Sequence, residues 1–323
     1  MTAISSQLIR EYSRGIGCHG VGIAAIEPES IEVAGSRLQA WLAAGYHGDM
    51  AWMADEKRRD VRLLMPEVKS IVAIALNYYN DVAPPDDSNH GKISRYAWGR
   101  DYHKVVKGKL KQIVRHLQQL DPTAKFKYCV DTAPIQDKFW AQEAGLGWIA
   151  KNGNLITRQW GSWVFLGEIL TDLALDCDLP HHDRCGTCTR CLTACPTAAI
   201  VAPKVVDANR CIAYHTIENR AASIPEDISL HGWLAGCDIC QEVCPWNQRF
   251  AKQTDIENFY PIEGRVTPLL AEHAKISDDA WDDLTRGSAL RRIKPNEWRR
   301  NAKHNLAKSP NAAVDVTNQP SSG

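Results

Sequence analysis

Eight of the eleven cysteines in this 323-residue chain lie between Cys185 and Cys244. Four of them form the run Cys185-x2-Cys188-x2-Cys191-x3-Cys195-Pro196, the spacing with which bacterial ferredoxins hold [4Fe–4S] clusters. Three thiolates on one tight loop meet three corners of a cubane, and the fourth cysteine of the run turns away to ligate a second cluster. A partial copy, Cys237-x2-Cys240-x3-Cys244-Pro245, repeats the last three positions. Its first cysteine is Cys211, set back by 25 intervening residues. The pattern assigns Cys185, Cys188, Cys191 and Cys244 to one cluster, and Cys211, Cys237, Cys240 and Cys195 to the other. Paired Cys-x2-Cys motifs also build zinc ribbons, but a four-cysteine run closed by Cys-Pro with a second partial copy is hard to obtain that way. Two adjacent cubanes make a one-electron wire, and a wire needs an acceptor at its end. Cys18, Cys129 and Cys177 stand outside the pattern and read as small buried apolar residues.

A disulfide scaffold would be short and carry a signal peptide, and the expectation here is neither. Residues 1–17 hold no apolar block followed by a small-residue cleavage site. The apolar run Ile71 to Leu76 is far shorter than the roughly 20 residues of a membrane-spanning helix. The expectation is a cytoplasmic protein with no membrane part, and a monomer. Hydrophobic residues at 44% and charged residues at 24% exclude a mostly disordered or collagen-like chain. The net charge is zero but unevenly spread. Residues 92–127 carry ten Lys/Arg against Asp101 and Asp121, and residues 286–308 carry eight against Glu297. The remainder holds 20 basic and 35 acidic residues. Each basic stretch reads either as a solvated helix face or as part of a face for a polyanion.

The organisation follows in four parts. Residues 1–176 mix helical and strand patterns and predict an α/β or α+β domain, of which α+β is the class taken. Ile4, Leu8, Ile9, Tyr12 and Ile16 recur at helical spacing. Val21 to Ile26 and Phe126 to Val130 read as strands, and Ser70 to Tyr79 and Gly161 to Leu173 as buried strands. Arg37 to Leu42 reads as helix, with Gly45 just past its end. Positions 84–89 form a loop. Val105, Val106, Leu110, Ile113, Val114, Leu117 and Leu120 make one helical stripe with the basic residues on its other faces. Pro134 to Ala144 reads as a helix ended by Gly145. Residues 177–250 are the double-cluster region, 251–308 a helical basic region, and 309–323 a polar tail expected to be disordered.

Few other residues stand out. Asp131 follows a strand and precedes a helix, which suits either a catalytic carboxylate at a crevice or an ordinary helix cap. A helix N-terminus lowers a carboxylate pKa, whereas a general acid needs it raised, as burial against an apolar cofactor would do. Asp101-x-His103 begins like the Asp-x-His-x-x-Gly motif of histidine-ligated cobalamin proteins. Position 106 is valine, so the motif fails and His103 reads as a surface histidine at a helix start. Trp148, Trp160 and Trp163 read mainly as core, with stacking on a flat cofactor or a base as the alternative. The turns Gly145 to Trp148 and Lys151 to Asn154 allow close backbone approach to a ligand.

The order of these pieces carries a resemblance. Lys57-Arg58-Arg59 comes first, then Ser70 to Leu76, Trp98-Gly99-Arg100-Asp101-Tyr102-His103 and Val130-Asp131-Thr132. Gly145 to Asn152, Gly161-Ser162-Trp163 and the split ferredoxin motif complete the series. Up to about Asn305 the chain resembles the epoxyqueuosine reductase family of queuosine synthesis. The resemblance implies a nitroreductase-like cobalamin-binding domain, then a ferredoxin-like double-[4Fe–4S] domain, then a short helical, HEAT-like tRNA-contacting region. It implies cobalamin held base-off without a histidine ligand, and electrons from an external low-potential donor passing through both clusters to cobalt. The implied substrate is the epoxycyclopentane base at the wobble position of tRNAs for Asp, Asn, His and Tyr. The proton donor falls on Asp131, and cobalamin contacts fall on or near Arg58, Leu155, Leu166, Ala213 and Asp238, with Lys151 and Asn152 in an adjoining turn. Two departures stand out. A cysteine that some members place near cobalt aligns with Ser94, and the C-terminal helical repeats are cut to one unit, Trp298 to Leu306. Two other readings compete. A reductive dehalogenase shares the cobalt-plus-two-clusters layout but has no need of basic faces. A ferredoxin-type carrier has no use for the first 176 residues.

Overall fold

The computed structural model describes residues 4–308 apart from positions 84 and 86; the expected tail 309–323 and part of the 84–89 loop lie outside it. Helix α1, Ser6–Gly15, starts where the Ser5 hydroxyl accepts from Leu8 N. Strand β1 is Gly20–Ala25, and helix α2, Pro28–Ala43, begins at Pro28 instead of Arg37 because proline suits a first helical turn. Strands β2, Ser70–Asn77, and β3, Lys92–Ile93, precede helix α3, Tyr102–Leu120, and strand β4, Phe126–Cys129. Helix α4, Asp137–Glu143, starts later than the expected Pro134. Strands β5, Trp148–Ile149, β6, Leu155–Ile156, and β7, Val164–Thr171, complete this part.

The main sheet has the order β1-β2-β7-β4, antiparallel throughout. Every residue of β2 is buried, which accounts for its unbroken apolar run: both faces of the sheet are covered. Val72, Ile74, Phe165 and Ile169 pack with Ile9 of α1 and with Val106, Leu110 and Ile113 of α3. Ile71, Ala73, Leu166 and Leu170 pack on the other face with Ile31 of α2 and Phe139 and Trp140 of α4. Gly167 lets α3 lie close on β7: a Cβ there would stand 2.6 Å from Val106 Cγ1.

The cysteine-rich part carries helix α5, Arg190–Ala194, strands β8, Ile200–Ala202, and β9, Val205–Val206, helix α6, Ile212–Ile217, strand β10, Trp233–Ala235, and helices α7, Ile239–Glu242, and α8, Pro245–Phe250. Helices α9, Leu270–His273, α10, Asp278–Thr285, and α11, Pro295–Ala307, follow. Strand β10 pairs in parallel with β3. One core joins Ile93 and Trp98 to Leu234, Leu270, Trp281 and Trp298, so the last helices pack onto both preceding parts. Trp148 and Trp163 are buried in the core, as expected. Cys18 and Cys129 are buried too, but Cys177 is exposed, because it sits in the irregular segment after β7 where no apolar layer reaches it. Among the described residues no helix is long and apolar enough to cross a membrane.

Candidate functional site

A cavity of about 510 Å³ opens between the sheet and the cysteine-rich part. Strands β6 and β7 give it Leu155, Val164 and Leu166, and α6 gives Ile212 and Ala213. Asn152, Asn154, Ser162 and Gln241 add amide and hydroxyl groups. Cys195, Cys211, Cys237 and Cys240 bring four thiols to the same wall, and Asp131 and Asp137 bring two carboxyls.

Asp131 follows β4 with φ 40, a left-handed backbone that a side-chain-bearing residue adopts only where surroundings hold it. It caps no part of α4, which begins six residues on. Its Oδ2 lies 2.9 Å from His103 Nε2, and His103 Nδ1 lies 2.7 Å from Asp101 Oδ1. Asp101 caps α3 through His103 N, which fixes the imidazole between two carboxylates. Burial opposes charge on this ring, yet hydrogen bonds to Asp101 and Asp131 push His103 up from 6.5 to about 9. Burial pushes Asp131 upward, but His103, the Tyr102 hydroxyl and the Arg58 charge outweigh it and hold the carboxyl below its usual value. The pair therefore rests as imidazolium and carboxylate. His103 is not a free surface histidine: it belongs to the site through a partner 28 residues away in sequence.

Two further acids lie behind Asp131. Burial, and then the Asp131 charge, raise Asp137 from 3.8 to about 6. Glu168 on β7 is fully buried, two residues beyond Leu166 on the same face, with neither carboxyl oxygen partnered among the described residues. Burial first, then Asp137 and Asp131, raise it well above the ordinary glutamate range. Nothing in the sequence pattern separates these two from helix-start and strand residues.

Asn152, Leu155, Leu166 and Ala213 line the cavity. Asn152 is fixed by a bond from its amide to Cys240 O at 3.1 Å. Arg58 lies beside it electrostatically, close to Asp137 and Asp131, with its guanidinium 4.7 Å over Trp52, one bond to Ile135 O and a buried Nε without a partner among the described residues. Lys151 turns away, donating to Gly186 O at 2.7 Å and Cys188 O at 3.0 Å. Asp238 is fully buried outside the cavity lining, accepting from the Ser94 hydroxyl and from Arg95 N at 2.9 Å, and burial raises it to about 6.

The two sets that the spacing predicts lie side by side. Within the first, Cys191 feels Cys244, Cys185 and Cys188; in the second, Cys240 feels Cys211 and Cys195, and also Cys191 of the first. Among the described residues no three of these groups close into a metal-ion site. The first set lies under the surface: Arg184, Gly186, Thr187, Thr189 and Arg190 around it are exposed.

Charge on the surface is redistributed by pairing. In residues 286–308, Arg286, Arg291, Arg292 and Arg299 are bound to Asp283, Asp282, Glu218 and Asp278, and Arg300 to backbone carbonyls. On α3, by contrast, Lys104, Lys107, Lys111 and Arg115 are exposed at helical spacing on one face, running away from His103.

Residues 58–132 match a family model described as epoxyqueuosine reductase QueG, DUF1730, and residues 184–247 match one described as a 4Fe-4S double cluster binding domain. The chain is 56% identical to the epoxyqueuosine reductase of Synechocystis sp. over 88% of its length and all of that protein's. It is 48% identical to the one from Gloeobacter violaceus over 93% of this chain and 95% of that protein. A crystal structure of an epoxyqueuosine reductase with an epoxyqueuosine-modified tRNA-Tyr stem loop superposes with a TM-score of 0.84 at 32% identity, covering 96% of this chain and 83% of that one. The enzyme from Streptococcus thermophilus gives 0.83 at 26% identity, covering 98% and 87%. Similarity of this extent, running across both the carboxylate–imidazole pair and the patterned cysteines, shows that the chain belongs to the epoxyqueuosine reductase family of oxidoreductases.

Proposed function

We propose that this protein reduces epoxyqueuosine to queuosine at the tRNA wobble position, with electrons passing through two [4Fe–4S] clusters to a cobalamin and with Asp131 delivering a proton. The observation that carries this reading is a single cavity that holds Asp131 and four of the eight patterned thiols on its walls. The spacing, with Cys191 feeling Cys244 and Cys240 feeling Cys195, supports cluster ligation by Cys185, Cys188, Cys191 and Cys244, and by Cys195, Cys211, Cys237 and Cys240.

The cavity fits a large, flat, amide-bearing ring. Its lining combines apolar side chains with amide and hydroxyl groups. Leu155, Leu166 and Ala213 would contact the ring system and Asn152 its amides, while the buried Nε of half-buried Arg58, unpartnered among the described residues, is a donor still to be used. Such a group supplies a strongly reducing, nucleophilic metal. Lys151 and Asp238 take supporting roles instead: Lys151 ties down the first cysteine loop, and Asp238 organises Ser94 and Arg95.

Removing the epoxide oxygen as water takes two electrons and two protons. The His103–Asp131 pair holds one proton beside the cavity and can place it on Asp131 Oδ2 as charge builds on the opening oxygen. Asp101 keeps the imidazole oriented and charged. The target base must be splayed from its loop to reach Asp131, and the α3 stripe beside His103 is placed to hold the backbone.

Anaerobic metal analysis and turnover on an epoxyqueuosine-bearing stem loop test this. The expected result is about eight iron and one cobalt per chain, with loss of one oxygen from the base. Zinc in place of iron, or failure to take up a corrinoid, overturns it.

A further inference from the structure

The first thiol set differs from the second in where it faces. Cys195, Cys211, Cys237 and Cys240 line the cavity, whereas Cys185, Cys188 and Cys191 do not and sit in a partly exposed loop. The surface around that loop is strongly basic. Arg184 and Arg190 lie within it, Lys151 binds its carbonyls, and Lys204 pairs at 3.0 Å with Asp183 and donates its backbone N–H to Lys151 O. Arg158 and Arg184 both act on His181 at the loop's entrance, where burial and these charges lower the imidazole pKa. The acids beside these groups are already engaged: Asp183 by Lys204 and by Cys185 N at 2.8 Å, and Asp178 by Arg10 at 2.8 Å. Apolar surface is at hand as well. Leu179, just before the loop, is 86% exposed, and the half-buried Trp246 packs on Trp148 beside Cys185 and Cys244.

We infer that this basic surface over Cys185–Cys191 is the electron-entry port, the docking site of a small acidic one-electron carrier protein. The inference rests on the two-cluster reading above. Opposite charge steers such a carrier to the port, and exposed apolar groups among the cations give it a surface to pack on. In each encounter the reduced carrier loses one electron and the cluster on the first thiol set gains one, and two encounters supply one turnover. An RNA would also seek cations. None of Arg158, Arg184, Arg190 or Lys204 lines the cavity where the target base must arrive, however, and the basic stripe that starts beside His103 lies on a different element, α3.

The test uses anaerobic holoenzyme and a pre-reduced acidic [2Fe–2S] ferredoxin, with cluster bleaching followed by stopped flow. Arg158→Glu/Arg184→Glu should lower the second-order rate constant about tenfold or more and flatten its salt dependence. Arg158→Gln/Arg184→Gln should give an intermediate loss. Iron content and the extent of dithionite reduction, read by electron paramagnetic resonance, should match the parent. An unchanged ferredoxin rate in variants with intact clusters overturns the port. So does a loss of stem-loop affinity with the ferredoxin rate unchanged. Parent protein without iron would bring down the cluster reading, and the port with it.

Discussion

Asp131 Oδ2 stands 2.9 Å from His103 Nε2, so the carboxylate proposed as proton donor is bonded to a ring that keeps its proton up to about pH 9. The proton of this pair is shared, and its pH behaviour belongs to both residues.

Asp131→Asn should lower turnover by roughly 10² to 10⁴ while leaving cofactor binding intact. His103→Asn should cost less and change the pH profile. In the parent, activity declines as pH rises through about 9, where the imidazolium loses its proton; in the variant that limb disappears. Steady-state rates across pH, with corrinoid content checked by absorption, decide it. A His103→Asn profile identical to the parent's would exclude the pairing role.

The same pair contributes to stability in a defined window. His103 is raised from 6.5 to about 9, so its contribution is complete below about 6.5 and fades as pH climbs through about 9. Asp131 and Asp101 are lowered, so their share is present above the ordinary carboxylate range and fades in acid. Thermal melts of the parent and His103→Gln should converge at high pH.

Glu168 carries the opposite sign. A buried acid with a raised pKa is tolerated below about 4.5 and costs stability as pH rises toward its folded value. Glu168→Met should raise stability by about 1 to 3 kcal/mol near neutral pH, the cost of an unsatisfied buried polar group. The gain should shrink in acid. Melting temperatures at mildly acidic and mildly basic pH measure this, and equal gains at both would exclude ionisation as the cause.

Asp238→Ala should do the reverse. Among the described residues it leaves Arg95, itself buried, with only Glu242 as an acidic partner and leaves the Ser94 hydroxyl without its acceptor. A loss of about 3 to 5 kcal/mol is expected, as for one partner removed from a buried pair. Urea titration reads it.

Lys104, Lys107 and Lys111 changed together to Gln should weaken stem-loop binding. The slope of log affinity against log salt should drop by about 0.7 to 0.9 for each phosphate no longer neutralised. The same change at Arg291 and Arg299 should matter less, since both are bound to aspartates.

Much of this molecule is legible in the sequence where the signal is local. The cysteine spacing, the buried runs at β2 and β7 and the apolar stripe of α3 all repeat within a few residues. The rest depends on pairing between distant segments. His103 reads as a surface residue until the chain 28 positions later turns back to meet it. Asp131 reads equally as a helix cap until α4 is seen to start at Asp137. The basic stretch at 286–308 keeps its formal charge in the sequence but is bound to acids that pattern reading cannot pair with it.

The proposed ligation, in which Cys195 and Cys244 each serve the other loop's cluster, has a bearing on assembly. Under it neither metal centre is finished by one loop alone, so the whole 185–244 segment should load its metal, and lose it on oxidation, as one unit.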